Sequence, residues 1–268
     1  RLNRNFFEQD MQVVDYWDSH HMLHAAHAFY NSGFENAVCI IKDGMGSEFH
    51  IDDPNFVPGS YGREISSVYF ASYPDNLVAW EKEVFVPFEC DYKLAETHLH
   101  NSASEGIAFQ KTAKQFGFHE LDAGKIMGMA SYGVEDPNLP EIYLNGKINK
   151  DLFTYKYSEH NEILLNVKDF PYLDTDNFQI QANFAKKLQE ATQHKVLIDI
   201  LRIVEETGVK KVCLAGGFFL NCVANYYYKK HLPKDIELYI EPISSDAGTS
   251  YGAAKLLWHS ETKDTTIR

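Results

Sequence analysis

The sequence predicts an α/β fold, and three observations support this prediction. Short continuous apolar runs, typical of strands buried on both faces of a sheet, occupy 37–41 and 211–215. Apolar residues recur at helical spacing over about 177–207, and a further helix is expected at about 247–258. In the C-terminal part, strand-like and helix-like segments alternate along the chain, which is the pattern of α/β layers.

Composition and charge limit the classes of function. The chain has 268 residues, of which 44% are hydrophobic and 24% are charged, as in ordinary globular proteins. Its formal net charge of −13 disfavours extended contact with a nucleic-acid backbone. No apolar run is long enough to span a bilayer, and no signal-peptide pattern opens the sequence. Cys39, Cys90, Cys213 and Cys222 form no CxxC pair. We therefore expect a cytoplasmic protein that does not bind a membrane, and the acidic charge disfavours nucleic acid as a partner.

The histidine-rich segment 20–27, with the sequence HHMLHAAH, is the most informative stretch of the chain. Met, Leu and Ala favour a helix here, Ser19 suits its N-cap, and Gly33 marks its C-terminal end. On a helix, His20 and His24 lie four residues apart on one face, so both imidazoles can reach one metal ion. The same pattern also suits an ordinary packed or solvated helix.

The predicted strand at 37–41 ends in the sequence KDGMG. An Asp43 carboxylate followed by Gly44 and Gly46 lets backbone N–H groups approach a phosphate or a metal ion. An ordinary turn is equally compatible with these residues.

Other glycine-containing segments are candidates for phosphate contacts. Lys125 lies between glycines and close to Gly128, where a lysine can contact a phosphate as a point charge; a solvated loop lysine is the alternative. The turns at 216–217 and 242–246 each follow a predicted strand and precede a predicted helix, and helix N-termini favour anions.

Six motifs, in the same order along the chain, resemble the O-carbamoyltransferases of the nodulation-factor, cephamycin and tobramycin type. The segment HHMLHAA followed by AFY resembles HHLAHAAxAFY, and the strand ending in DGMG resembles the family's DGxG strand. Residues 104–118 resemble SLGxxYxxxxxxLGF, and KIMGMASYG at 125–133 resembles KVMGLAxYG. Residues 214–225 resemble LAGGxxLNCxAN, and 241–254 resemble QPxxxDxGxxxGAA. The main domain of this family is similar to the tRNA threonylcarbamoyltransferase.

This resemblance implies a two-lobed actin-like, sugar-kinase-like ATPase fold, with residues 1–150 as the N-terminal lobe and 151–268 as the C-terminal lobe. Residues 134–176 are the candidate connection between them. The family's opening strand is not recognisable, so we expect the fold to be N-terminally incomplete. No segment resembles the YrdC-like module that makes carbamoyl-adenylate from carbamoyl phosphate and ATP in full-length relatives. A split subunit, a fragment and a reduced relative are three interpretations that stay open.

The resemblance also implies a chemistry and a metal site. By resemblance, the domain transfers a carbamoyl group from carbamoyl-adenylate to a hydroxyl or similar nucleophile of a small molecule or nucleoside. A divalent metal would be held by His20, His24 and Asp246. Fe²⁺ is implied by the family, and Zn²⁺ or Mn²⁺ also suits two imidazoles and a carboxylate. Asp43 would lie at the same centre as a ligand, a base or a water-holding group, so Asp43, His20 and Lys125 are the predicted catalytic residues.

The predicted cofactor-binding residues would surround the ATP or carbamoyl-adenylate. They are Gly44, Gly46, Lys125, Gly128, Gly216, Gly217, Asn221, Asp246 and Gly248. By resemblance, Gly216, Gly217 and Asn221 would border the adenosine, and Lys125 and Gly248 would lie on the phosphate side. No motif identifies the pocket for the acceptor.

Three functions stay open at this point. The first is a carbamoyltransferase, either complete or as one subunit that works with a separate YrdC-like adenylating subunit or in a homo-oligomer. The second is a relative of the tRNA-modifying enzyme that uses threonylcarbamoyl-adenylate, which the acidic charge disfavours. The third is a non-catalytic nucleotide-binding or assembly protein. A sugar-kinase-like phosphotransferase has only the fold in its favour.

Overall fold

The computed structural model describes residues 13–156, 162–170, 172–173 and 176–267. The helices of this described part are His20–Ser32 (α1), Glu105–Gln115 (α2), Ala123–Met129 (α3), Phe178–Thr207 (α4), Cys222–His231 (α5) and Thr249–Thr262 (α6). Its strands are Asn36–Lys42 (β1), Glu48–His50 (β2), Tyr61–Ser72 (β3), Asn76–Phe85 (β4), Asp91–Leu94 (β5), Thr97–His100 (β6), Tyr143–Leu144 (β7), Lys147–Ile148 (β8), Phe153–Lys156 (β9), Glu162–Leu165 (β10), Lys211–Ala215 (β11) and Glu237–Ile240 (β12). None of these helices is both long enough and apolar enough to cross a membrane.

A mixed sheet of eight strands forms the centre of the part that the structure describes. The strand order is β12-β11-β1-β3-β4-β6-β5, and β2 pairs with β3. Strand β1 runs parallel to β11 and antiparallel to β3. This arrangement confirms the predicted α/β class. Because β1 and β11 belong to the two predicted lobes, the sheet spans both ranges, and the lobe boundary near residue 150 stays a prediction.

Both faces of β1 are buried, which explains its continuous apolar sequence. Cys39 and Ile41 belong to a core that also contains residues of α1 and α6. Val38 and Ile40 point to the other face, into a larger core that contains residues of α2 and α4. The last strand residue, Lys42, follows the alternation and points to the α2 and α4 face, where its ammonium group contacts Glu105.

The ends of two helices agree with the sequence signals for helix termination. Gly33 follows α1 with φ +74°, and Gly208 follows α4 with φ +70°; both are left-handed conformations that favour glycine. The N-terminal cap of α1 differs from the prediction. The side chain of Ser19 forms no capping hydrogen bond, and the backbone N–H of His20 instead donates to Ser47 Oγ at 3.1 Å.

The glycine-containing segment around Lys125, for which a loop was one interpretation, contains helix α3. Glycine lowers helix propensity at Gly124 and Gly128 by about 1 kcal/mol each relative to alanine. Ile126 and Met129 are nevertheless buried in the larger core. Tertiary packing of these two side chains therefore outweighs the local preference.

Other segments were predicted less completely. Residues 75–97, for which no pattern was clear, contain β4, β5 and the start of β6. The residues of β4 are mostly half-buried, so they show no clean alternation of apolar and polar positions. Helix α4 is one helix of 30 residues, where one or two helices were compatible with the sequence. Residues 1–12, where an opening strand was sought, and 157–161, within the predicted connection, lie outside the described residues.

Candidate active site and metal centre

Four side chains from three distant parts of the chain meet at one point. His20, His24, Asp43 and Asp246 each offer a ligand atom, and these atoms all lie within 4.8 Å of one another. His20 Nε2 lies 2.9 Å from Asp43 Oδ2, 3.6 Å from Asp246 Oδ1 and 3.2 Å from His24 Nε2. His24 Nε2 lies 3.9 Å from Asp43 Oδ2 and 3.7 Å from Asp246 Oδ1. The structure thus brings the three predicted metal ligands together with Asp43.

The end of β1 positions Asp43. Its Oδ1 accepts hydrogen bonds from the backbone N–H of Gly44 at 2.7 Å and of Gly217 at 3.2 Å. The second carboxylate oxygen is left facing His20. A Cβ atom added to Gly217 would lie 2.8 Å from Asp43 Oδ1, so the absence of a side chain at Gly217 permits this close approach. One carboxylate therefore joins the turn after β1 to the turn after β11.

Asp246 begins a short 3-10 turn that leads into α6. Close packing against α1 fixes this turn, because a Cβ atom at Gly248 would lie 2.3 Å from His27 Nδ1 and 2.3 Å from the carbonyl oxygen of Ile243. At Gly252, a Cβ atom would lie 2.0 Å from the carbonyl oxygen of Leu23. The predicted residue Gly248 therefore allows α6 and its preceding turn to approach the helix that carries the histidines.

Glu241 links α1 to the turn that precedes α6. Its carboxylate accepts hydrogen bonds from Asn31 Nδ2 at 2.9 Å and from the backbone N–H of Ile243 at 3.0 Å. Tyr239 donates a further hydrogen bond at 3.1 Å, and His27 Nε2 lies 3.6 Å away. Glu241 is 3% exposed. It stands in the matched segment at a position where the family pattern has glutamine, and no motif assigned it a role.

The ionisation of the two carboxylates, whose pKa values are both lowered, suits a site for a cation. Burial acts to raise the pKa of Asp43, but the hydrogen bond with His20, the charge of His24 and the N–H of Gly44 outweigh it and lower that pKa to about 2. The same hydrogen bond raises the pKa of His20. Burial lowers the pKa of the neighbouring His21 to about 3, so this imidazole is neutral at pH 7.

The donor set fits a divalent metal ion. Two imidazole nitrogens and two carboxylate oxygens are ligands that Fe²⁺, Zn²⁺ and Mn²⁺ accept. Ligand atoms bound at about 2.0–2.2 Å around one ion lie about 3–4 Å apart. The five separations between His20 or His24 and its neighbours in the cluster, from 2.9 to 3.9 Å, agree with that spacing.

A cavity of about 590 Å³ opens beside this cluster. This volume suits a ligand of nucleotide size. Among the predicted site residues, Asp43, Gly44, Gly217, Asn221 and Asp246 line the cavity. Much of the remaining lining is apolar, with Ile107, Phe109, Leu121, Met127, Phe218 and Leu220.

Lys125 and Gly128 do not line this cavity. The side chain of Lys125 is 54% exposed and forms an ion pair of 2.8 Å with Asp122. Its Nζ atom lies 5.0 Å from the centre of the Phe118 ring. Gly128 is exposed on the same helix. The phosphate-binding role of both residues stays a prediction.

Two other predicted glycines, Gly46 and Gly216, do not line the cavity. A Cβ atom at Gly46 would lie 2.7 Å from His21 Nε2, and one at Gly216 would lie 2.3 Å from the carbonyl oxygen of Lys42. Gly216 also has φ +101°, a conformation that favours glycine. The side-chain amide of Asn221 accepts a hydrogen bond from the N–H of Ala224, so it caps α5 as well as lining the cavity.

Comparison with known proteins identifies the family. The family described as carbamoyltransferase N-terminus matches residues 6–255. The chain belongs to this carbamoyltransferase family. The predicted relationship to the O-carbamoyltransferase-type family is therefore confirmed.

Individual relatives of this carbamoyltransferase domain are distant in sequence. The nodulation protein NolNO of Sinorhizobium fredii (strain NBRC 101917 / NGR234) is 27% identical over 252 residues, which cover 89% of this chain and 30% of that protein. The nodulation protein NolO of Bradyrhizobium diazoefficiens is 25% identical over 249 residues, or 89% of this chain and 38% of that protein. The chain spans about a third of the length of the curated relatives that it matches.

A solved structure supports the fold of the carbamoyltransferase domain. The crystal structure of T. kodakarensis HypF superposes with a TM-score of 0.54 at 15% sequence identity, and the match covers 93% of this chain and 38% of that one. At this identity the likeness shows the fold alone. This shared fold agrees with the predicted α/β fold class.

Sequence reasoning missed several polar residues of the cavity, among them Gln110 of α2 and Glu120. Gly106, four residues earlier, also lines the cavity and lies within a segment that resembles a family motif. Residues i and i+4 of a helix share a face. The helical spacing could therefore have placed Gln110 on the cavity side.

Proposed function

We propose that this domain transfers a carbamoyl group from carbamoyl-adenylate to a hydroxyl or similar nucleophile of a small molecule or nucleoside, and releases AMP. The observation that carries the proposal is the cluster of His20, His24, Asp43 and Asp246 beside a cavity of nucleotide size, in a chain of the carbamoyltransferase family. Neither the family nor the cavity identifies the acceptor.

His20, His24 and Asp246 would hold a divalent metal, and the position of Asp43 supports a role as a fourth ligand. When bound, the metal would supply a Lewis acid that offsets negative charge on a phosphate or carbonyl oxygen. Fe²⁺ is the first candidate by family resemblance, and the donor set equally accepts Zn²⁺ or Mn²⁺.

The protein would bring the reacting groups together in the cavity. The acceptor oxygen forms a bond to the carbamoyl carbon, the bond from that carbon to the phosphate oxygen breaks, and AMP leaves with the electron pair. The acceptor proton passes to a base, and Asp43, which lines the cavity, is the candidate for this role as an alternative to metal ligation. Gly217 and Asn221 would border the adenosine. Lys125 would reach the phosphate only by giving up its ion pair with Asp122.

The carbamoyl-adenylate has to be made from ATP and carbamoyl phosphate. We propose that a YrdC-like adenylating module supplies it, either as a separate subunit or through a larger assembly. This part of the proposal rests on the family resemblance alone.

The test is acceptor-dependent formation of AMP and carbamoylated product. The protein is incubated with carbamoyl phosphate, ATP, Fe²⁺, a hydroxyl acceptor and, where needed, a separate adenylating enzyme. We expect His20→Ala to lower the rate about 100-fold or more, because one ligand of the Lewis acid is removed. The exposed His231, at the end of α5, gives the control variant His231→Ala. A folded, metal-loaded preparation that makes no carbamoylated product with any nucleoside or sugar acceptor would contradict the proposal.

A further inference from the structure

Gln110 is a carboxamide among apolar side chains of the cavity. Ile107 and Phe109 of α2 and Met127 of α3 line the cavity with it. The carboxamide forms no hydrogen bond with any residue that the structure describes. A polar group that loses water when a ligand fills an apolar site needs a partner from the ligand, because an unpaired buried amide costs about 1–3 kcal/mol.

The packing of α2 fixes this carboxamide beside the turn that carries Asp43. Ser104, the N-cap of α2, donates a hydrogen bond to the carbonyl oxygen of Gly44 at 2.8 Å. A Cβ atom at Gly106 would lie only 3.0 Å from the backbone nitrogen of Gly44, so the first turn of the helix contacts this backbone directly. Gln110 follows one helical turn later, and its Nε2 and Oε1 lie 3.3 and 3.8 Å from where a Cβ atom of Gly44 would be.

We infer that Gln110 is a specificity-determining residue that binds the carbamoyl group of the nucleotide; this inference rests on the proposed function. A phosphate held at the metal cluster carries the carbamoyl group one bond away, which brings that group to the Asp43–Gly44 turn. The adenosine is expected on the other wall, at Gly217 and Asn221. Gln110 therefore lies on the side of the cavity where the carbamoyl end of the nucleotide is expected.

The chemistry of the two groups is complementary. A carboxamide presents one carbonyl acceptor and an NH₂ donor, and a carbamoyl group presents the same pair, so two hydrogen bonds can form side by side. An acyl group such as acetyl has the carbonyl but no NH₂, and it would leave the carbonyl of Gln110 unpaired. A site that forms a hydrogen bond with a ligand NH or OH discriminates strongly against ligands that lack this group. An apolar site discriminates less strongly against a ligand that lacks a methyl group.

The experiment measures binding without turnover. Calorimetric titration of the metal-loaded protein would use three probes: AMP, an adenosine 5′-sulfamate with an N-carbamoyl group, and the same sulfamate with an N-acetyl group. We expect the wild-type protein to bind the carbamoyl probe about 10–100-fold more tightly than the acetyl probe. In Gln110→Leu this preference should fall below about threefold, while the affinity for AMP stays within about twofold. Gln115→Leu, at the end of the same helix, is the matched control.

Each other outcome overturns the inference. An equal loss of all three probes in Gln110→Leu would place Gln110 at the adenosine or the phosphate instead, or show a purely structural role. Wild-type protein that binds AMP but does not distinguish the carbamoyl probe from the acetyl probe would overturn the inference and leave the proposed function to its own assay. Wild-type protein that binds none of the three probes would overturn both.

Discussion

Lys42 and Asp43 are consecutive residues at the end of β1, yet their side chains enter two polar clusters of different kinds. Lys42 is 3% exposed, and its ammonium lies 3.2 Å from the carboxylate of Glu105 and 3.8 Å from that of Asp199. Tyr143 also donates a hydrogen bond to Glu105, and Lys195 pairs with Asp199. In this cluster the cations and the anions are both supplied by the chain.

The Asp43 cluster lies on the α1 side of β1 and lacks this balance. Its members are two carboxylates and two imidazoles, with Nε2 atoms of His20 and His24 facing each other at 3.2 Å. The contrast suggests how to tell structural from functional charge in this fold. A buried set of charges that is complete within the chain stabilises the fold, whereas a set that lacks a cation and opens on a cavity is suited to bind one.

Breaking the Lys42 cluster should give the largest effect on stability. Burial acts to lower the pKa of Lys42, but Glu105 and Asp199 outweigh it and raise that pKa, so the ammonium is charged at pH 7. Lys42→Met would leave buried carboxylates without their cation, and we expect a loss of about 3–5 kcal/mol in the free energy of unfolding. Denaturant titration would measure this loss.

The control for this prediction is Lys210→Met. Lys210 is 58% exposed and pairs with an exposed carboxylate, so its loss should cost less than about 1 kcal/mol. Equal stability of the Lys42→Met and Lys210→Met variants would contradict the prediction that the buried lysine stabilises the fold more than the exposed one.

Breaking the Asp43 cluster should instead affect metal binding and leave stability nearly unchanged. The side chain of Asp246 is 76% exposed, so Asp246→Asn should change the free energy of unfolding by less than about 0.5 kcal/mol. The affinity for a divalent metal should fall about 100-fold, since a charged ligand is lost. Competition with a chelator measures this affinity. The exposed Glu205, on α4, gives the control variant Glu205→Gln. Equal metal affinity in the two variants would show that Asp246 is not a metal ligand.

The two clusters also show what the sequence can and cannot predict. Strand β1 and the end of α1 were predicted from local signals, an apolar run and a glycine at the C-terminus of a helix. Helix spacing alone put His20 and His24 on one face. The approach of Asp246, 222 residues after His24, followed only from resemblance to a family, because no local pattern encodes which turns a sheet brings together.

The partners of Lys42 lay beyond local reasoning for the same reason. Glu105 begins α2, and Asp199 lies in the middle of α4, so their meeting depends on how both helices pack on one face of the sheet. Gln110 and helix α3 were likewise determined by packing. The strands at 76–100 were missed because half-buried residues near the sheet edge carry mixed polarity.

The pH dependence of stability gives a finer test of the surroundings of Lys42, because they include a buried histidine with one ring nitrogen that is unpaired in the described part of the chain. His100 is 3% exposed and lines a small polar space with Lys42 and Glu105. Its Nδ1 accepts a hydrogen bond from the backbone N–H of Ser102, whereas its Nε2 has no hydrogen-bond partner among the described residues. Burial lowers the pKa of His100 to about 3.

Well above pH 6.5 this imidazole is neutral in the folded and the unfolded protein, so it adds no pH dependence there. As the pH falls below 6.5, the unfolded chain binds a proton that the folded protein excludes, and the free energy of unfolding decreases by up to about 1.4 kcal/mol per pH unit. Between pH 6.5 and 5.0, His100→Gln should therefore lose about 1–2 kcal/mol less than the wild-type protein. Denaturant titration at both pH values measures the difference, with the exposed His50 changed to Gln as the control. If His100→Gln and the wild-type protein lost the same stability, His100 would be protonated inside the fold, and its Nε2 would have a partner in the small polar space.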